Sequence, residues 1–94
     1  MLAVFQAAGY ISEPMPTVLS QAGFDVMIYT RDHPPAHVHV WKAGAEIVIN
    51  LGTERGKPWV RDNNGASQKV ERQALMIVSE QQDFLLREWE QIHG

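Results

Sequence analysis

From Ser67 onward, apolar residues recur at three- and four-residue spacing: Val70, Ala74, Ile77, Val78, Leu85, Trp89 and Ile92, with Phe84 beside them. Neither Gly nor Pro intervenes before Gly94. The spacing predicts an amphipathic helix of about 25 residues, or two shorter helices broken near Gln81 and Gln82. The turn-rich run from Asp62 to Ser67 offers Ser67 as N-cap, and Glu71 stands one position past the capping-box place. The apolar stripe is read as core.

Upstream the period falls to two. Phe24–Thr30, His37–Trp41 and Glu46–Leu51 are short, rich in β-branched and aromatic residues, and bounded by Gly23, Pro34-Pro35, Ala43-Gly44 and Gly52. They predict three antiparallel strands. Val18–Ser20 is a candidate earlier strand. Lys57–Arg61 is a candidate later one, which Pro58 would confine to an edge because it cannot donate to a ladder. Alternation puts Phe24, Val26, Ile28, Val38, Val40, Ile47, Ile49 and Leu51 on one apolar face, suited to packing under the helix. Asp25, Met27, Tyr29, His37, His39, Trp41, Glu46, Val48 and Asn50 fall on the other, where chemistry can sit. The expected fold class is α+β: an antiparallel meander of three to four strands with a long C-terminal helix, or two short ones, packed on one face.

The faces also fix register, because a slip of one residue turns every side chain over. Keeping Val40 and Ile47 on one face sets Trp41 opposite Glu46, His39 opposite Val48 and His37 opposite Asn50. Ala43 suits a two-residue primed turn poorly, so a four-residue loop over Lys42–Ala45 in the same register is expected.

Composition narrows the function classes. The 94 residues contain no cysteine, carry a net charge of -3 and are 45% apolar. There is no disulfide framework, thiol nucleophile or thiolate metal site. The apolar runs are too short to span a bilayer, and the apolar segment 1–14 lacks a basic start and a cleavage pattern, so a cytoplasmic address is expected. Residues 15–66 hold five acids and five bases, and residues 67–94 hold five acids and three bases. The missing basic surplus disfavours tight non-specific DNA binding. Arg55, Lys57 and Arg61 around Trp59 form the best candidate basic patch, and a plain polar loop with an edge strand is the preferred account of them. Gly52-x-x-x-Gly56-Lys57 lacks the spacing and context of a phosphate loop. Ser12, Ser20, Ser67 and Ser79 have no neighbouring histidine to form a hydrolase triad. His93 reads as a residue complementing the helix C-terminal dipole.

Three of the four histidines fall in the run Arg31-Asp32-His33-Pro34-Pro35-Ala36-His37-Val38-His39. His37 and His39, two apart on a strand, project from one face with Cα atoms roughly 7 Å apart. The double proline stiffens the lead-in loop. Three readings stand open. In the first, His33, His37 and His39 with Asp32 supply acid and base for phosphodiester cleavage, because histidine titrates near neutrality, and Arg31 contacts phosphate. Tyr29 and Trp41 on the same face are then candidate substrate contacts. In the second, His33, His37 and His39, with Asp32 or Glu46, bind a divalent metal, Zn or Ni rather than Mg. In the third, the histidines are structural, bonding Asp25, Glu46 and Asn50 across the sheet or meeting a partner, and no cofactor is involved.

Met15-Pro16-Thr17-Val18, the string Asp32-His33-Pro34-Pro35-Ala36-His37-Val38-His39-Val40, Gly44, the E-x-V-I-N strand and the run from Ala74 to His93 together resemble the small bacterial domain of unknown function 4160 (DUF4160) family over residues 15 to about 93. The resemblance implies a chain that starts near Met15, with residues 1–14 as an extension or an upstream start. It also implies a small cognate protein encoded nearby, in a toxin-antitoxin-like pair. It assigns no activity and no catalytic residues. Residues 52–66 are longer than the family's usual connection. So small a sheet gains stability from a second chain, so a homodimer or small cognate partner is expected. The reading carried forward is a toxin-like component acting on RNA. The alternatives are a non-enzymatic protein-binding module and a small metal-binding domain.

Overall fold

A computed structural model describes residues 16–53 and 55–94. The expected extension 1–14 and the start at Met15 lie outside the described residues. Five strands, β1 (Thr17–Gln21), β2 (Phe24–Met27), β3 (His37–Lys42), β4 (Ala45–Asn50) and β5 (Trp59–Asn64), precede two helices, α1 (Gln68–Glu80) and α2 (Gln82–His93). The fold is α+β, as expected, with five strands instead of three to four. Both weak candidates form strands, and β5 starts after Pro58, whose missing N–H is thereby kept out of the ladder.

The sheet is an antiparallel meander in the order β1-β2-β3-β4-β5. The central hairpin pairs His37 with Asn50, His39 with Val48 and Trp41 with Glu46, the register the face argument requires. Its tip differs from expectation. Lys42 pairs with Ala45, leaving a two-residue Ala43-Gly44 turn with φ of 49° and 86°. The β1–β2 hairpin closes the same way, on Ala22-Gly23 with φ of 54° and 82°. Two positive φ values match the right-handed twist of the flanking strands, and this outweighs the strain of alanine in the left-handed region.

β2 stops at Met27, short of the expected Thr30: Ile28 N still donates to the Pro16 carbonyl opposite it, and the chain then turns, with Asp32 N donating to the Tyr29 carbonyl. In β5 an irregularity between Val48 and Ile49 leaves Arg61 as the extra residue. That bulge keeps Val60 opposite Ile49 and against the core, while Asp62 falls opposite Val48.

The core contains every residue of the predicted apolar face, joined by Ala74, Ile77, Val78, Leu85 and Trp89 from the helices. Ser67 caps α1, its hydroxyl accepting from Val70 N at 3.1 Å. Glu71 accepts from Asn63 Nδ2 at 2.8 Å, which ties the helix start to β5 in place of a capping box. The two-helix alternative is the one adopted. The helices part at Gln81 (φ -105°, ψ 17°), whose N–H is shared between the carbonyls of Ile77 and Val78. Gln82 then donates from Nε2 to the carbonyls of Leu51, Thr53 and Gly56, fixing the β4–β5 connection to the start of α2. Among the described residues no helix is long and apolar enough to cross a membrane.

Candidate functional site

The polar face of the central hairpin and the loop before it converge on one carboxylate oxygen. Asp32 Oδ2 lies 3.0 Å from His39 Nε2 and 3.3 Å from His37 Nε2. It also accepts from Tyr29 N at 3.3 Å, the contact that closes the turn carrying it. Each ring is fixed at its other nitrogen. His37 Nδ1 lies 2.9 Å from the Pro35 carbonyl, and because a carbonyl only accepts, that nitrogen bears the hydrogen. His39 Nδ1 meets Glu46 Oε2 at 2.9 Å, and Asn64 Nδ2 donates to the other oxygen of Glu46.

Strand geometry explains the grouping. The period of two turns both imidazoles to one side, and the pairing of Trp41 with Glu46 brings the glutamate beside His39. The Pro34-Pro35 segment, whose linking peptide is cis, presents the Pro35 carbonyl to His37. The two rings meet edge-on with centroids 5.2 Å apart.

Aromatic groups wall the cluster. The Tyr29 ring lies 4.4 Å from that of His39, and the Tyr29 hydroxyl accepts from Trp41 Nε1 at 3.1 Å. On the other side Trp89 of α2 stacks on His37 at 5.3 Å and His93 stacks on Trp89 at 4.0 Å. His93 Nε2 donates to the Tyr29 carbonyl at 3.2 Å, so the residue read only as a helix-end cation also docks α2 onto the site loop. The side chains of His37, His39 and Asp32 retain 7%, 14% and 18% of their exposure, leaving a narrow opening. Trp89, which stacks on His37, also lines a cleft with Pro35, Ala36, Gly52, Thr53, Leu86 and Glu90.

Of the site residues expected from sequence, Asp32, His37 and His39 are brought together. His33 is not. It is exposed and falls outside the cluster, because the loop turns it to solvent one residue after Asp32. Arg31 is exposed on the same loop, and Tyr29 and Trp41 are half-buried as walls of the site. Of the cross-sheet hydrogen bonds expected, only that to Glu46 forms with a histidine; Asp25 accepts from Ser20 instead. Asn50, opposite His37, is 7% exposed, and its side-chain oxygen has no partner among the described residues. Trp89 and His93 were absent from the expected set. Their four-residue spacing predicts that they stack on each other but not which loop they meet.

The DUF4160 family, a domain of unknown function, matches residues 23–90, a span that takes in the cluster, the whole central hairpin and most of both helices. The chain belongs to the DUF4160 family. No curated protein and no solved structure matches significantly.

Proposed function

We propose that this DUF4160 domain is the toxin-like member of a bacterial toxin-antitoxin pair, acting on RNA at the Asp32–His37–His39 centre with Glu46 as its support. The observation that carries the reading is the convergence of both Nε2 atoms on one carboxylate oxygen while both Nδ1 atoms are held by separate acceptors. A sheet needs no such arrangement to fold, and a buried polar network is costly unless satisfied, so its presence points to use. RNA as substrate is supported by the phosphodiester chemistry open to a histidine–carboxylate centre and by exposed Arg31 next to Asp32, a guanidinium able to grip phosphate. The cleft lined by Trp89 offers a seat for a base or ribose. The toxin-like role itself is supported by the family resemblance and a small size suited to a partner.

Expression of the chain alone in bacteria, against His37→Ala plus His39→Ala and against Asp32→Asn, is the test. Growth slows with the wild type and not with the variants, whose folding is checked by circular dichroism; equal growth of all three removes the reading.

One observation favours a second reading, a protein-binding module. β5 forms an outer edge of the sheet and carries Trp59 at 52% exposure. An unpaired edge beside an exposed aromatic suits strand addition by a partner. In that case the Trp59→Ala variant loses co-purification with the product of the adjacent gene while the histidine variants keep it.

A further inference from the structure

We infer that Asp32, His37 and His39 bind a divalent first-row transition-metal ion, through Asp32 Oδ2 and the two Nε2 atoms. The inference deepens the proposed function, resting on it only in taking this cluster as the working centre.

Hydrogen counting carries the argument. With Nδ1–H committed to the Pro35 carbonyl, a neutral His37 turns a lone pair toward Asp32 Oδ2 at 3.3 Å. A neutral His39 has one hydrogen for two carboxylates, Glu46 at 2.9 Å and Asp32 at 3.0 Å. With that hydrogen on Glu46, both Nε2 lone pairs face the same anionic oxygen. The site therefore lacks positive charge where the three atoms meet. One divalent ion satisfies all three atoms together.

Distances agree. Bonds of about 2.0 to 2.1 Å at octahedral or tetrahedral angles set neighbouring ligand atoms roughly 2.8 to 3.4 Å apart. The two carboxylate–imidazole separations, 3.0 and 3.3 Å, already lie there, and the three candidate ligand atoms all fall within 4.8 Å of one another. The surroundings are those of a metal centre as well: a ligating histidine commonly donates its other N–H to a carboxylate or backbone carbonyl, and here His39 meets Glu46 and His37 meets Pro35. The oxygen of Asn50, cross-strand from His37, is a buried acceptor on the same face with no donor among the described residues. Two nitrogens and one carboxylate oxygen suit Zn²⁺, Ni²⁺ or Fe²⁺ and disfavour Mg²⁺ and Ca²⁺. The set contains Asp32 in place of His33.

The test uses tag-free full-length protein, stripped with chelator and titrated calorimetrically with ZnCl₂ and with MgCl₂. One Zn²⁺ binds per chain and Mg²⁺ gives no heat. Asp32→Asn weakens Zn²⁺ binding at least about tenfold, and Glu46→Gln, which touches no ligand position, weakens it about 10- to 100-fold. His33→Ala binds as the wild type does. In ¹⁵N spectra of the histidine rings, Zn²⁺ shifts Nε2 of His37 and His39 while both Nδ1 atoms stay protonated. This spectrum decides the matter in the wild type even if Asp32→Asn fails to fold. Absence of stoichiometric Zn²⁺ binding, binding that survives Asp32→Asn, or binding lost on His33→Ala overturns the inference. A chain that takes Zn²⁺ without slowing growth keeps the metal site and loses the toxin-like role, and the converse result separates them the other way.

Discussion

At the scale of single residues, Gln82 shows how much a polar side chain can hold. Its amide nitrogen reaches three carbonyls, at 2.7, 3.0 and 2.8 Å, across the connection that leads from β4 to β5. Replacing it leaves those carbonyls to water or unpaired, so Gln82→Ala lowers stability by about 1 to 2 kcal/mol, measured as a lower urea midpoint with an unchanged slope. The same scale shows what the sequence makes legible. His37 and His39 are readable as a pair because a strand has a period of two, and Glu46 joins them once the hairpin register is worked out. Asp32 and His33 are adjacent in a loop without period, so nothing in their spacing shows that the first turns inward and the second to solvent. His93 meets the carbonyl of Tyr29 across most of the chain, a contact that local pattern does not encode.

At the scale of elements, the hairpin tips are the most informative departure. Alanine occupies the first turn position of both Ala22-Gly23 and Ala43-Gly44, with φ of 54° and 49°. Turn propensity alone argues for a wider loop; strand twist and the Lys42–Ala45 pair select the tight one. Asparagine tolerates this conformation better, so Ala43→Asn stabilises by about 1 kcal/mol and raises the melting temperature by about 4 to 8 °C in thermal denaturation. A fall in melting temperature would contradict this account of the tip. The helical stripe was legible as a face but not as one rod or two. Gln81 marks the break, and the pull of Gln82 on the preceding loop accompanies it.

At the scale of the whole molecule, a single apolar face of the sheet meets both helices, and Leu85 lies at 0% exposure where α2 enters that core. Leu85→Ala removes about 2 to 5 kcal/mol, a large share of the roughly 5 to 15 kcal/mol that holds a small domain together. The variant therefore melts far below the wild type by calorimetry and begins to populate unfolded chain at growth temperature. The overall layout was legible because alternation and helical spacing agree on which side is apolar. The two outer strands were legible only as weak candidates, since β1 is short and β5 is polar and bulged at Arg61.

The chemistry of the molecule is also compact along the chain. Asp32, Pro35, His37, His39 and Glu46 all belong to one hairpin and its lead-in, while the helices contribute only the cover of Trp89 and His93. A centre written in one short passage of sequence is portable: grafted onto another twisted antiparallel scaffold with a matching ladder, it carries its donor atoms and their orienting groups along with it.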